Sequence, residues 1–260
     1  MTPGRRAFWL GLMAVGLWAT VATAFKLALR YLDVFQLLFY ASLVSTLLLL
    51  AILAWRGDLD QLGPYLRQSP GYFLLVAVMN PCLYYLVLLS AYDLLPAQQA
   101  QAINYTWAIV LAVLAVPVLG QRLQWSDAVA ALTGYLGVLV IATRGDITGM
   151  QFTSLPGVGL ALLSTLVWAG YWIVGTRNSG DSVVAMTLNF LLATPLCLLL
   201  CLVFSSLQVP GWRGLAAAAY VGAFEMGITF VLWSIALKTA TRVVLVSNLI
   251  FLAPFLSLVF

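Results

Sequence analysis

Long apolar runs, separated by short polar breaks, repeat along the whole chain and constrain its fold more than any other feature. Each run has about twenty residues, and a helix rising about 1.5 Å per residue then spans roughly 30 Å, the thickness of a bilayer's hydrocarbon core. Hydrophobic residues make up 63% of the chain and charged residues only 8%, whereas about 25% of a soluble domain is charged. The sequence therefore predicts an all-α integral membrane protein.

We predict nine membrane-spanning helices from the positions of the apolar runs. They lie at residues 8–29, 34–55, 71–92, 96–119, 126–143, 156–176, 182–204, 213–236 and 242–260. The ninth run reaches Phe260 without a flanking polar residue. Because helical membrane proteins do not usually stop inside the bilayer, we expect the sequence shown to be cut short.

The distribution of lysine and arginine predicts the orientation, because cytoplasmic loops carry an excess of both. With the N-terminus inside, eight of these residues lie on the inner side and four on the outer side. The inner residues are Arg5, Arg6, Arg56, Arg67, Arg122, Arg177, Lys238 and Arg242, and the outer ones are Lys26, Arg30, Arg144 and Arg213. This count favours a cytoplasmic N-terminus.

The chain also resembles itself. Asn80-Pro81 aligns with Glu225-Met226 at an offset of 145 residues, and Trp18-Ala19 aligns with Trp168-Ala169 at an offset of 150. We therefore predict two five-helix repeats, residues 1–148 and 149–260, the second of which lacks its last helix. An odd number of spans inserts the second repeat upside down, so ten helices are expected in total. Inverted repeats are typical of secondary transporters, whose substrate sites lie near the midplane.

Glu225 is a lone carboxylate in the middle of the apolar run from Trp212 to Leu237. A charged side chain at the bilayer centre costs at least about 2.5 kcal/mol, so it needs a partner, a proton or a water-filled cavity. Glu225 therefore binds a substrate ammonium, carries a coupling proton, or is a neutral hydrogen-bonded structural group.

The third predicted span is interrupted at Asn80-Pro81. Proline removes a backbone donor and frees a carbonyl one turn earlier, and an asparagine side chain can satisfy the loosened groups. Asn80 and Tyr84 are four residues apart, so a regular helix places both on one face. The segment either lines a cavity or is a structural kink.

Polar and aromatic residues recur every third position in the fourth span, at Gln101, Asn104 and Trp107. This stripe faces a cavity or forms hydrogen bonds between helices. Trp18 and Trp168 lie deep in the first and sixth spans, where they either line a cavity or pack. Indole rings of this kind can sandwich an aromatic ligand or hold an ammonium by cation–π contact.

The composition argues against several other functions. The chain has no histidine and no phosphate-binding glycine loop, and its net charge is only +4. We therefore expect no enzyme activity, no cofactor, no metal and no nucleic-acid partner. Cys82, Cys197 and Cys201 lie in apolar runs, and buried hydrophobic thiols explain them better than a disulfide framework does.

Three features together resemble the EamA type of the drug/metabolite transporter superfamily: two five-span halves, the Trp-Ala pairs, and the passage Val118-Leu119-Gly120-Gln121-Arg122 followed by Gly134-Tyr135-Leu136-Gly137-Val138. Asn104-Tyr105-Thr106-Trp107, together with Asn80 and the pair Tyr84-Tyr85, is similar to the YddG-type aromatic amino acid exporters. The resemblance implies a bacterial inner-membrane exporter of aromatic and other neutral amino acids or related metabolites, acting by alternating access around a central cavity.

An amino acid substrate would need rings for its side chain, an acceptor for its ammonium and donors for its carboxylate. The rings could come from Trp18, Tyr84, Trp107 and Trp168. The ammonium could donate to Glu225, Asn80 or Asn104. The carboxylate could accept from Asn80, Gln101 or Asn104. The alternative is a proton-coupled multidrug exporter of the same fold. Either protein has a small-molecule substrate, contacts the lipid bilayer and can act as a monomer.

Overall fold

The computed structural model describes residues 3–143, 145–146, 154–208 and 211–257, and every regular element within them is a helix. Among the described residues, seven segments are long and apolar enough to cross a membrane. They are Gly4–Phe25, Val34–Arg56, Pro70–Tyr92, Gln99–Leu119, Leu155–Thr176, Ser182–Phe204 and Trp212–Thr239. The predicted class, a multi-pass helical membrane protein, is confirmed.

The predicted fifth and ninth spans correspond to two shorter apolar segments, Trp125–Val140 and Val243–Leu256. Seven of the nine predicted spans therefore reach the length required to cross a bilayer. The expected boundary between the repeats, at residues 148 and 149, and the end of the chain at Phe260 lie outside the described residues.

Several spans are built from two helices with an irregular junction. The helices are α1 (Pro3–Trp18), α2 (Val21–Ala28), α3 (Val34–Arg56), α4 (Leu62–Gln68), α5 (Pro70–Ala77), α6 (Tyr84–Leu94), α7 (Ala97–Asn104), α8 (Trp107–Leu119), α9 (Trp125–Thr143), α10 (Leu155–Thr176), α11 (Ser182–Phe204), α12 (Trp212–Tyr220), α13 (Ile228–Thr239), α14 (Val243–Ser247) and α15 (Ala253–Ser257). Short 3₁₀ helices occupy Leu59–Gln61 and Asn248–Leu252. Helices α3, α10 and α11 are continuous.

Two spans are interrupted near their middle, the first by a kink and the second by a π-helical turn. Val78–Leu83 joins α5 to α6, and Val221–Gly227 joins α12 to α13. The first contains Pro81, which cannot donate a backbone hydrogen bond, and the backbone of Asn80 there is extended rather than helical, with φ −148° and ψ 128°. The second segment is a widened turn, and turns of that kind often occur at functional sites.

Helices α3 and α11 begin in the same way. Asp33 precedes α3 and its carboxylate accepts from the backbone N–H groups of Phe35 and Gln36. Asp181 precedes α11 and accepts from the N–H groups of Val183 and Val184. A carboxylate at this position satisfies N–H groups that have no partner inside the helix and complements the positive end of its dipole. Each helix then continues for 23 residues.

The two helices lie antiparallel, because each begins beside the end of the other. Asp33 accepts a hydrogen bond from Ser205, the residue after α11. At the opposite end, Asp181 forms an ion pair of 3.0 Å with Arg56, the last residue of α3. We call the end of the bundle at Arg56 and Asp181 the Arg56 face, and the end at Asp33 and Ser205 the Asp33 face.

The segment Val221–Gly227 packs directly on α3. The Ser45 hydroxyl donates to the backbone carbonyl of Gly222 at 2.7 Å. A Cβ atom added to Gly222 would collide with the backbone carbonyl oxygen of Ala41. A residue without a side chain is therefore required for this approach, which holds the neighbouring Glu225 in the protein interior.

Candidate functional site

A cluster of aromatic rings fills the centre of the bundle, with Trp168 of α10 in its middle. The Tyr84 ring stacks on Trp168 with centroids 4.2 Å apart and planes 20° apart. Trp18 and Trp107 meet the same indole at centroid distances of 6.4 and 6.2 Å. The structure thus brings together the four aromatic residues that the sequence suggested as possible ring partners.

Further rings, which the sequence did not single out for this role, complete the central cluster. Phe230 of α13 lies 5.4 Å from Trp168 between ring centroids, and Trp233 lies 5.1 Å from Trp18. Both side chains are fully buried. Such pairs contribute about 0.5–1.5 kcal/mol each beyond the burial of their area, so the cluster stabilises the junction of α1, α6, α8, α10 and α13.

The carboxylate of Glu225 is 6% exposed and lies beside this cluster. The Tyr85 hydroxyl oxygen is 2.7 Å from Glu225 Oε1 and 2.8 Å from Oε2, so its single proton is shared between the two oxygens. The Tyr85 ring meets Tyr84 edge-on at 4.9 Å. A buried carboxylate is thus connected to the aromatic cluster through two adjacent tyrosines. Of the two, the sequence indicated only Tyr84 as a possible substrate contact.

Asn104 lies at the end of α7, next to the break before α8. Its amide nitrogen donates to the Ser164 hydroxyl at 3.0 Å, and its carbonyl oxygen lies 3.5 Å from the Tyr84 hydroxyl. Asn104 therefore touches the polar edge of the stacked Tyr84. Gln101 lies about one turn earlier, is half-buried, and interacts with the Tyr105 hydroxyl.

Asn80 is fully buried at the kink between α5 and α6. Its backbone carbonyl accepts from the amide nitrogen of Asn189 at 3.2 Å, and the same nitrogen donates to the Tyr171 hydroxyl at 3.1 Å. The expectation that Asn80 and Tyr84 share one helical face assumed a regular helix, which the extended backbone of Asn80 interrupts. Asn80 instead faces Tyr171 and Asn189, whereas Tyr84 faces Trp168.

Charged residues join α3 to α11 at the Arg56 face. Arg56 pairs with Asp58 at 2.7 Å and with Asp181 at 3.0 Å, and the Tyr65 hydroxyl accepts from the Asp181 backbone N–H. Partial burial raises the pKa of the Asp181 carboxyl. The Arg56 guanidinium and two backbone N–H groups outweigh that effect, so the pKa is held below its usual value.

At the Asp33 face, uncharged contacts also join α3 to the end of α11, in addition to the bond between Ser205 and Asp33. The Gln36 amide donates to the Ser206 carbonyl at 2.8 Å, and the Tyr40 hydroxyl donates to the Gln208 carbonyl at 2.7 Å. Contacts at this face and at the Arg56 face therefore join α3 to α11 at both of their ends.

The cysteines are buried, as predicted. Cys82 and Cys197 have sulfur atoms 3.6 Å apart, and they join the kinked third span to α11. Within the described ranges, no group of three histidine, cysteine or acidic residues is arranged to hold a metal ion.

A helical bundle with several membrane-spanning segments, a central aromatic cluster and a buried carboxylate is typical of a membrane transporter. The sequence profile of the EamA-like transporter family matches residues 5–143 and 155–260. The chain belongs to the EamA-like transporter family.

Individual relatives are similar to the chain over part of their lengths. The aromatic amino acid exporter YddG of Ancylobacter novellus is 27% identical over 176 residues, which are 67% of this chain and 61% of the exporter. The uncharacterized protein PA1977 of Pseudomonas aeruginosa is 33% identical over 125 residues, 48% of this chain and 42% of that protein. The chain thus spans less than two thirds of either relative.

A crystal structure of a protein with 25% sequence identity has the same fold. It superposes with a TM-score of 0.83, covering 98% of this chain and 86% of that one.

Proposed function

We propose that the protein is a secondary transporter that exports aromatic and other neutral amino acids, or related metabolites, without converting them chemically. The observation that carries this proposal is the contact of the aromatic cluster with a buried carboxylate, through Tyr84 and Tyr85. Rings suit an aromatic side chain, and a carboxylate suits an ammonium group. The similarity to an aromatic amino acid exporter supports the same substrate class.

The proposed substrate site consists of eight residues grouped around the cluster. They are Trp18, Asn80, Tyr84, Gln101, Asn104, Trp107, Trp168 and Glu225. In this proposal the rings contact the substrate side chain, Glu225 accepts from the ammonium, and the amide groups of Asn104 and Gln101 meet the carboxylate. Asn80 extends the polar surface toward the Arg56 face.

We propose further that residues 1–148 and 149–260 are two inverted repeats of a ten-helix transporter. Three pairs of features support this arrangement: the capping residues Asp33 and Asp181, the antiparallel helices α3 and α11, and the mid-span interruptions Val78–Leu83 and Val221–Gly227. Each member of a pair lies about half the chain from its counterpart. Alternating access would then move one half against the other around the cluster.

The excess of lysine and arginine supports an inner-membrane protein with a cytoplasmic N-terminus. In that orientation the Arg56 face is cytoplasmic. Substrate for export would approach at this face, so opening the contacts of Arg56 with Asp181 would be the first step of the cycle.

The alternative is a proton-coupled multidrug exporter. The isolated, almost fully buried carboxylate of Glu225 favours it, because such a group can exchange a proton for a cationic drug. The two candidates differ in the charge of their substrates: zwitterions for the first and lipophilic cations for the second.

Counterflow in proteoliposomes tests the proposal. Vesicles are preloaded with unlabelled amino acid, and entry of labelled tryptophan, phenylalanine, threonine and a lipophilic cationic drug is followed. Saturable exchange of amino acids alone is expected, and exchange of the drug alone would contradict the proposal.

Variants of the site residues test the proposed site. Amino acid exchange should be abolished or strongly reduced in Trp168→Ala and Asn80→Ala. The control Trp55→Ala should exchange normally, because Trp55 is 89% exposed at the end of α3. Unchanged transport in the first two variants would refute the proposed site.

A further inference from the structure

Two of the three cysteines form a thiol pair where the kinked third span meets α11. The sulfur atoms of Cys82 and Cys197 are 3.6 Å apart, although the residues are 115 positions apart in sequence. Cys82 belongs to the kink Val78–Leu83, and Cys197 lies in the continuous helix α11. Both side chains are buried, at 6% and 0% exposure. The proposed transport mechanism gives neither thiol a task.

One face of α11 follows the kink over three successive turns. Asn189 donates to the backbone carbonyl of Asn80 at 3.2 Å. One turn later, the backbone carbonyl of Ala193 lies 4.0 Å from the Cys82 sulfur. After a further turn, Cys197 reaches the same sulfur. Positions four residues apart share a helix face, so the packing of this face on the kink holds the two thiols together.

The surroundings of the pair suit thiol oxidation better than metal binding. The Cys197 sulfur also accepts from the Ser42 hydroxyl of α3 at 3.7 Å. Within the described ranges, no third cysteine, histidine or acidic residue joins the two thiols, and structural zinc takes four such ligands. Two thiols in contact have a simpler reaction open to them, which is the formation of a disulfide.

The pair needs only a small movement to form that bond. A disulfide has an S–S distance of about 2.05 Å, so the two sulfur atoms must approach by about 1.5 Å. Small rotations of the two side chains can supply this movement. The backbone before Cys82 can also adjust, because Pro81 has no N–H group and Asn80 is extended, so the regular helical hydrogen bonds are interrupted there.

We propose that Cys82 and Cys197 are a modification site, at which a membrane-permeant hydroperoxide closes a reversible disulfide. With hydrogen peroxide, one thiol attacks the O–O bond and becomes a sulfenic acid, and one water is released. The second thiol then displaces a second water from that sulfur, and the S–S bond forms. Two thiols are oxidised, the two peroxide oxygens are reduced, and both thiol protons leave in water. Hydrogen peroxide is small and uncharged, so it suits a site between membrane spans.

The disulfide would stop transport, a consequence that rests on the proposed function. Cys82 lies in the first of the proposed repeats and Cys197 in the second. A covalent bond between them ties the kinked third span to α11, next to the proposed site residue Asn80. Alternating access requires one half to move against the other. The oxidised protein therefore remains in one state, and reduction of the bond releases it.

A thiol count on the wild-type protein tests the modification site without transport. The purified protein is treated with hydrogen peroxide, unfolded, alkylated with a maleimide and digested for mass spectrometry. One of the three cysteines should remain alkylatable, and the linked peptides should join Cys82 to Cys197. A link between Cys197 and Cys201, separate oxidation of the two thiols, or three free thiols would overturn the proposal.

Counterflow of labelled tryptophan tests the consequence. Wild type should lose nearly all exchange after hydrogen peroxide and regain it after dithiothreitol, whereas Cys82→Ala and Cys197→Ala should keep their exchange. The matched control is Cys201→Ala, which should respond as wild type does. Cys201 is equally buried on the same helix, but its sulfur lies near the backbone carbonyl of Ser206, at 4.0 Å. Oxidation of methionine would affect all variants alike, and dithiothreitol would not reverse it.

Two further results would overturn the redox control of transport. One is equal inhibition by peroxide in wild type and Cys82→Ala. The other is normal exchange by wild-type protein in which the linked peptides show a complete disulfide. Failure of the untreated wild-type protein to exchange amino acids would instead refute the proposed function, and the thiol count would still decide about the modification site.

Discussion

The hydroxyl of Tyr85 bridges both oxygens of Glu225, at 2.7 and 2.8 Å, although the two residues are 140 positions apart in sequence. Tyr85 immediately follows the start of α6, and Glu225 lies inside Val221–Gly227. The hydrogen bond therefore connects the two interrupted spans close to the points where they are interrupted. Any movement of one span relative to the other changes the environment of a buried carboxylate.

Removing the Tyr85 hydroxyl should destabilise the protein. Tyr85→Phe leaves the buried Glu225 side chain without this partner, and an unsatisfied buried polar group costs about 1–3 kcal/mol. Thermal unfolding in detergent measures the loss. Tyr31→Phe is the control, because Tyr31 is 47% exposed, and it should have little effect. In a double-mutant cycle with Glu225→Leu we expect a coupling energy of about 0.5–3 kcal/mol; additive effects would show that the contact carries no energy.

Glycine at position 222 should be essential for packing. In Gly222→Ala the new methyl group meets the Ala41 carbonyl oxygen and the Val44 side chain, so Val221–Gly227 must move away from α3 and the bond from Ser45 is lost. We expect a destabilisation of about 1–3 kcal/mol, together with reduced transport.

Gly159→Ala is the matched control for that substitution. Gly159 lies within α10 and has open space around its added Cβ. Alanine is favoured over glycine in a helix by about 1 kcal/mol, so this variant should be neutral or more stable. Equal melting temperatures for both alanine variants would contradict the packing argument.

Arg242 should stabilise the bundle by neutralising Asp127. Asp127 in the first turn of α9 has a side chain 2% exposed, and Arg242 before α14 lies 2.7 Å away and is 27% exposed. Arg242→Ala leaves a buried carboxylate unpaired. We expect a loss of about 1–3 kcal/mol, between the values for exposed and fully buried pairs.

Arg122→Ala tests whether that loss belongs to the ion pair. Arg122 is exposed just before α9, and its removal should change the unfolding free energy by no more than about 0.5 kcal/mol. A comparable loss of unfolding free energy in both variants would indicate a general effect of positive charge near the start of α9.

The contact of Asp181 with Arg56 should be insensitive to pH near neutrality and weaken in acid. The pKa of Asp181 is lowered in the folded protein, so the stabilisation is fully present above the ordinary aspartate pKa of about 4 and is lost as the pH falls through the lower folded value. The difference in melting temperature between wild type and Asp181→Asn should be constant from about pH 8 to 5 and shrink below about pH 4. A difference that changes mainly between pH 6 and 8 would refute this assignment.

The sequence predicts the continuous helices well. The predicted ranges 34–55 and 182–204 agree with Val34–Arg56 and Ser182–Phe204 within one residue. Both runs are uniformly apolar and both begin after an aspartate cap, so composition and local capping act together. The predicted span 96–119 is split at Tyr105 and Thr106 instead, because a hydrophobic run does not reveal a junction stabilised by neighbouring helices.

The aromatic part of the central cluster could be foreseen, but its polar connections could not. Trp18, Trp107 and Trp168 are deep in their spans, and depth is visible in a sequence. The pairing of Tyr85 with Glu225 and of Asn189 with Asn80 depends on contacts between distant spans. The extended backbone of Asn80 also shifts the faces of the residues that follow it, so reasoning from regular helical spacing selects Tyr84 and misses Tyr85.

Asp33 and Asp181 each perform two tasks with one side chain: each starts its own helix and joins that helix to the end of the antiparallel partner. The start of each helix and its connection to the antiparallel partner are consequently inseparable at these positions. A single substitution at either aspartate removes a helix cap and an interhelical contact together, so evolution cannot adjust that contact without also altering how the helix begins.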